Sequence, residues 1–159
     1  MEVTITKDGT TKRERYHSLI PQLSALVKGE SDPIANVANI IAALKQSFGF
    51  FWVGIYFVKE DELVLGPFQG TVACTRIKKG SGVCGTAWEK EESIIVPDVD
   101  LFPGHIACSH FSRSEIVVPC YKNGKIVAVL DIDSIKLDDF SFTDKEYLEK
   151  TAEIIASVL

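Results

Sequence analysis

The sequence predicts an α+β fold, one antiparallel sheet with helices packed on a face. Two observations lead there: three- and four-residue apolar spacing at both ends of the chain, and short runs rich in aromatic and branched residues between them. A third is the pair Asn123-Gly124 between two apolar runs, a strong hairpin signal. Residues 1–10 are polar and turn-forming and read as a loose N-terminal arm; residues 11–159 read as a single domain.

From Thr11, Tyr16, Leu19, Leu23 and Val27 recur at helical spacing, and Pro21 inside that run should kink the helix or split it. Asp32-Pro33 marks a second helix start, with Asp32 as N-cap. Ile34, Val37, Ala38, Ile41 and Leu44 form its expected buried stripe, ending near Ser47. FFWVGIYFV and ELVLGPF, joined by the polar turn 59–62, read as a hairpin. Residues 70–112 are glycine-bearing and irregular, apart from a short helix near Val83 and a short strand over 93–96. An irregular stretch of that length is uncommon unless it works, so it is expected to wall an active site. EIVVPCY and KIVAVLDID supply two more strands. Thr143 and Glu146 read as a capping box opening a last helix whose apolar face carries Tyr147, Leu148, Ile154, Ile155 and Val158.

Composition narrows the functional classes. At 46% hydrophobic and 25% charged, the chain can bury a core without disulfides. A net charge of -5 and basic runs no longer than Lys12-Arg13 or Lys78-Lys79 argue against a nucleic-acid partner. No apolar stretch is long enough for a membrane span and the N-terminus lacks a signal-peptide core, so a cytoplasmic location is expected. There cysteines stay reduced, and are catalytic, metal-binding or simply buried.

Cys74, Cys84 and Cys108 fall within a 35-residue window, each among small residues or glycine, with no CxxC. Around Cys108, PGHIACSHFSRSE places His105, His110 and Arg113 close by, an environment that can favour a thiolate. Inert burial is the plain alternative for any one cysteine. Zinc on Cys74, Cys84, Cys108 and His105 or His110 is another, but only His105-x2-Cys108 has the usual paired spacing. Cys120, in a strand after Pro119, reads as core. Asp131 and Asp133 alternate along one strand and so share a face, and Glu115 begins the neighbouring one. They are either a solvated strand end or the acidic part of a site. Trp52 and Tyr56 share a face across Gly54, as core or as a pocket wall.

WVGIY (52–56), LVLGPFQG (63–70), AC-x-RI around Cys74, GxGVCGTA (80–87), VPDV (96–99), FPGHIAC (102–108), SRSEIVVP (112–119) and VLDIDS (129–134) together resemble the free methionine-(R)-sulfoxide reductases, stand-alone GAF-domain enzymes. The resemblance implies a GAF-like antiparallel sheet of about six strands. It also implies thiol-dependent reduction of the R sulfoxide of free methionine, with thioredoxin as reductant and no metal or cofactor. Carried over by motif, Cys108 is the nucleophile, Cys74 the main resolving thiol, and Cys84 a further thiol for disulfide exchange. Trp52 and Tyr56 match the aromatic wall of the substrate site; Glu115, Asp131 and Asp133 match its acids, with Glu115 or Asp133 as proton donor. A homodimer is compatible with the fold. The competing reading is a non-catalytic GAF module that senses a small molecule, since fold alone does not fix function.

Overall fold

A computed structural model describes residues 3–159. Helix α1 spans Lys12–Leu26 and opens on a capping box: the Thr11 hydroxyl accepts from the Glu14 N–H, and the Glu14 carboxylate accepts from Thr11 N–H. The helix is not split at Pro21. The bond that proline cannot make would have ended on the His17 carbonyl, and both residues lie on the exposed side, where water replaces it. Gln22 ties the preceding arm to this helix, accepting from Thr6 N–H and donating to the Thr6 carbonyl.

Helix α2 spans Pro33–Phe48, with Asp32 accepting from Ala35 N–H and Gly49 closing the helix in the left-handed region at φ 67°. Its buried stripe is rotated from the expected one. Val37, Ile41 and Leu44 are buried with Ile40 and Ala43, whereas Ile34 is 52% exposed.

Six strands form one antiparallel sheet: β1 (Trp52–Lys59), β2 (Glu62–Gln69), β3 (Arg76–Lys78), β4 (Ile94–Val96), β5 (Ser114–Lys122) and β6 (Lys125–Ser134), in the order β3-β2-β1-β6-β5-β4. The β5–β6 turn holds Asn123 and Gly124 at φ 52° and 74°, the two left-handed residues that a tight hairpin needs. Strand β3 was not legible as a strand. It is three residues long, with only Ile77 buried.

Strand alternation divides the chain between two cores. Val53, Ile55, Ile116, Val118, Cys120, Ala128, Leu130 and Ile132 point to one face, covered by α1, α2 and α4 (Phe142–Val158). Trp52, Tyr56, Val117 and Val129 point to the other, which α3 (Gly82–Lys90) covers with Val83, Ala87 and Trp88. Three helices thus pack on one face as expected, and the short fourth lies opposite. Each Leu or Ile fully buried here contributes about 1.5–3 kcal/mol.

Helix α4 begins earlier than its sequence indicated. The capping box is Ser141 with Asp144, not Thr143 with Glu146. Asp144 is fully buried and accepts from Tyr16 Oη at 2.8 Å, Lys12 Nζ at 3.0 Å and Ser141 N–H at 2.8 Å. That tertiary network fixes the helix start and fastens α4 to α1.

Candidate active site

A pocket of about 540 Å³, its open mouth included, lies on the α3 side of the sheet. Its floor follows from strand register. Asp133 pairs with both Trp52 and Glu115, and Asp131 with Gly54 and Val117, so Glu115, Asp131 and Asp133 project together from adjacent central strands. They are not a solvated strand end. Glu115 and Asp131 are 6% and 7% exposed, and Asp133 is half-buried.

The rim comes from the 70–112 stretch. Cys74, on the loop before β3, and Cys108, on the loop before β5, are joined as a disulfide with Cα atoms 5.8 Å apart. Cys108 is exposed and Cys74 partly so. Cys84 stays a free thiol, buried in the first turn of α3. Two aromatic side chains of β1 hold the first loop: Trp52 Nε1 donates to the Thr71 carbonyl and Tyr56 Oη to the Cys74 carbonyl, each at 2.9 Å. The aromatics therefore both line the pocket and position a disulfide-bearing loop.

Burial dominates the electrostatics. It raises Glu115 to about 8, assisted by the charge of Asp133 and opposed by a hydrogen bond with Asp131. Asp131 is pushed well up by burial and by Glu115; Asp133 is pushed well up by burial and by Asp131, against a hydrogen bond from Ser112. Burial and the same acids raise the Cys84 thiol, which therefore keeps its proton and hydrogen-bonds Asp131. Desolvation lowers His105, whose Nε2 lies 3.7 Å from Glu115 Oε2. With desolvation acting against both charges, this is a contact between neutral groups at pH 7, not an ion pair. Asp131 Oδ1 is buried with no hydrogen-bond partner, which leaves the floor short of a donor.

All eight residues singled out from sequence, Trp52, Tyr56, Cys74, Cys84, Cys108, Glu115, Asp131 and Asp133, lie at this pocket or on its rim. Of the basic residues near Cys108, His105 faces the pocket, whereas His110 and Arg113 are exposed. The zinc set suggested by spacing is not assembled, because Cys74 and Cys108 are bonded to each other and Cys84 instead meets Glu115 and Asp131. Sequence reading missed Ser112, which lies just ahead of β5 where no periodicity applies, and Ile77, whose strand is too short to show alternation. Cys120 is a core residue as expected, its thiol raised to about 12 by burial.

A six-stranded antiparallel sheet with helices on one face and a loop-walled pocket on the other is a GAF domain, and the GAF domain family model matches residues 32–159. The chain is 58% identical to GAF domain-containing protein A of Dictyostelium discoideum, over 91% of this chain and 92% of that protein. It is 41% identical to free methionine-R-sulfoxide reductase of Saccharomyces cerevisiae, over 91% of this chain and 85% of that protein. The X-ray structure of free methionine-R-sulfoxide reductase from Neisseria meningitidis in complex with its substrate superimposes with a TM-score of 0.96 at 48% identity, covering 99% of this chain and 95% of that one. The chain belongs to the free methionine-R-sulfoxide reductase family. Among the described residues, no helix is long and apolar enough to cross a membrane.

Proposed function

We propose that this protein reduces free L-methionine (R)-sulfoxide to methionine. The observation that carries the reading is a Cys74–Cys108 disulfide at the mouth of a pocket floored by three acids, Glu115 and Asp131 buried and Asp133 half-buried. In the reduced enzyme the Cys108 thiolate attacks the sulfoxide sulfur, and Glu115, protonated at neutral pH, gives a proton to the sulfoxide oxygen. The hydroxyl passes to Cys108 as methionine leaves: thiolate, sulfoxide and one proton become sulfenic acid and thioether. The Cys74 thiol then displaces water from that sulfenic acid and forms the disulfide. Cys84, more deeply buried, is the reserve thiol for exchange.

Asp131 and Asp133 receive the substrate's ammonium group. Crowding holds these carboxyls toward their neutral forms, and an arriving cation reverses that balance, so one ionises as the substrate binds. The unpartnered Asp131 Oδ1 is suited to an N–H donor. A peptide-bound methionine has no ammonium there, which supplies the preference for the free amino acid. Trp52 and Tyr56 offer the S-methyl group an apolar wall, and a fixed methyl position selects one epimer.

The exposed position of Cys108 suits attack on the disulfide by a dithiol of the thioredoxin type. A single domain over residues 11–159, a cytoplasmic setting and a homodimer complete the proposal. The test is methionine release from free methionine (R)-sulfoxide with dithiothreitol as reductant. Cys108→Ser should abolish release, and the parent rate in that variant would refute the nucleophile assignment.

A further inference from the structure

We propose that the pocket floor is also a binding site for one soft divalent cation of the zinc type, with Cys84, Glu115 and Asp131 as its protein ligands and solvent in the fourth position. The proposal goes beyond the reductase reading and stands without it. One ligand atom from each of Cys84, Glu115 and Asp131 lies within 4.8 Å of the other two, and all three residues are buried. A tetrahedral zinc ion, with Zn–S about 2.3 Å and Zn–O about 2.0 Å, needs ligand atoms about 3.5 Å apart, so the three close by no more than about 1.3 Å. His105 Nε2 is 3.7 Å from Glu115 Oε2 but falls outside this three-residue group, so the fourth position is open to solvent.

The independent sign of a missing partner is Asp131 Oδ1, an oxygen without a hydrogen bond on a side chain 93% out of solvent. Each ligand sits on a different support: Cys84 in the first turn of α3, Glu115 on β5 and Asp131 on β6. A thiolate beside two carboxylates favours a borderline-soft ion over calcium or magnesium. On coordination the Cys84 S–H bond gives way to a metal–sulfur bond and its proton leaves to solvent, with no change of oxidation state. An ion in this position occupies the place proposed for the substrate's ammonium group, so metal and free methionine sulfoxide should exclude each other.

The disulfide form isolates the question, because Cys74 and Cys108 are then not thiolate donors and Cys120 is sealed in the opposite core. Cobalt(II) is titrated into oxidised protein in a non-chelating buffer, followed by zinc(II). The expected result is one cobalt per chain with a thiolate-to-metal charge-transfer band, displaced by zinc and by excess free methionine sulfoxide. Cys84→Ser should remove the band, and Asp131→Asn should weaken affinity by roughly tenfold or more. Thermal melts check that both variants are folded. If neither is, zinc-edge X-ray absorption on the parent decides: one sulfur at about 2.3 Å with oxygen at about 2.0–2.2 Å supports the site. A zinc shell without sulfur, a band that survives in folded Cys84→Ser, or the absence of any band overturns it. Oxidised protein does not turn over, so failure here leaves the reductase reading intact, and an enzyme that binds cobalt but never reduces the sulfoxide sinks only that reading.

Discussion

Gly54→Ala places the aromatic wall under direct test. A methyl group at Gly54 would lie 2.4 and 2.8 Å from two carbons of the Trp52 indole and 2.6 Å from Phe68 Cβ, where carbon atoms pack at about 3.5–4.0 Å. The indole must retreat by about 1 Å or more. It is held by its 2.9 Å bond to the Thr71 carbonyl and by stacking on Phe68 at 5.4 Å. Overpacking of this kind costs about 1–3 kcal/mol. Borne by the pocket, that is a rise of roughly 5- to 150-fold in KM for free methionine (R)-sulfoxide, at 1.4 kcal/mol per tenfold. Steady-state kinetics would be read beside a thermal melt and the indole N–H resonance of Trp52. A displaced resonance with the parent KM would show that Trp52 does not shape the substrate site, and an unmoved resonance would refute the packing argument itself.

Three further outcomes follow from the same coordinates. Cys74→Ser should release methionine in a single turnover but recycle poorly with thioredoxin; full thioredoxin-dependent turnover would remove Cys74 from its resolving role. Glu115 is raised from 4.5 to about 8, so between those values the folded chain binds more protons than the unfolded one. Its contribution therefore falls as pH rises through that window, by as much as about 5 kcal/mol at 1.4 kcal/mol per unit. Urea unfolding across the window should show a shallower pH slope for Glu115→Gln, and equal slopes would show that the carboxyl is not held neutral. Asp144→Ala leaves the Tyr16 hydroxyl without its buried acceptor and costs about 3 kcal/mol, moderated because Lys12 is partly solvated. The melting temperature should drop by roughly 6–12 °C with KM unchanged, and a drop under 2 °C would contradict the network.

Much of this site was legible because strands alternate. Asp131 and Asp133 two apart, and Trp52 and Tyr56 four apart, had to share faces in any strand containing them, and the turn at Asn123-Gly124 marked β5 and β6 as partners; a bulge between Cys120 and Tyr121, which the sequence does not signal, then shifts the register by one and sets Glu115 opposite Asp133. What escaped depends on contacts distant in sequence. Burial of the acids follows from loops closing over the sheet, so a solvated strand end was an equally good local reading. The start of α4 is set by Asp144 reaching Tyr16 and Lys12, about 130 residues away, which outweighs a local Thr143–Glu146 pattern. Pro21 breaks a helix only where its lost bond matters, and an exposed carbonyl makes the loss small.

The two free cysteines show that position along a strand or helix, not residue type, assigns the chemistry. Cys120 and Glu115 both belong to β5 and stand five residues apart, an odd number, so the pleat sends them to opposite faces. Cys120 joins Ile116 and Val118 among the α4-side hydrophobes, where its only perturbation is burial with a backbone bond, and nothing there can use a thiolate. Cys84 is equally buried, but α3 lowers it onto the acid-bearing face, where Asp131 accepts its proton in a hydrogen bond. A one-residue slip of β6 would move Asp131 and Asp133 into the aliphatic core and bring Leu130 and Ile132 to the pocket floor. The hydrophobic pattern that makes such a slip prohibitively unfavourable is therefore also what holds three carboxyls and one thiol together against the cost of taking them out of water.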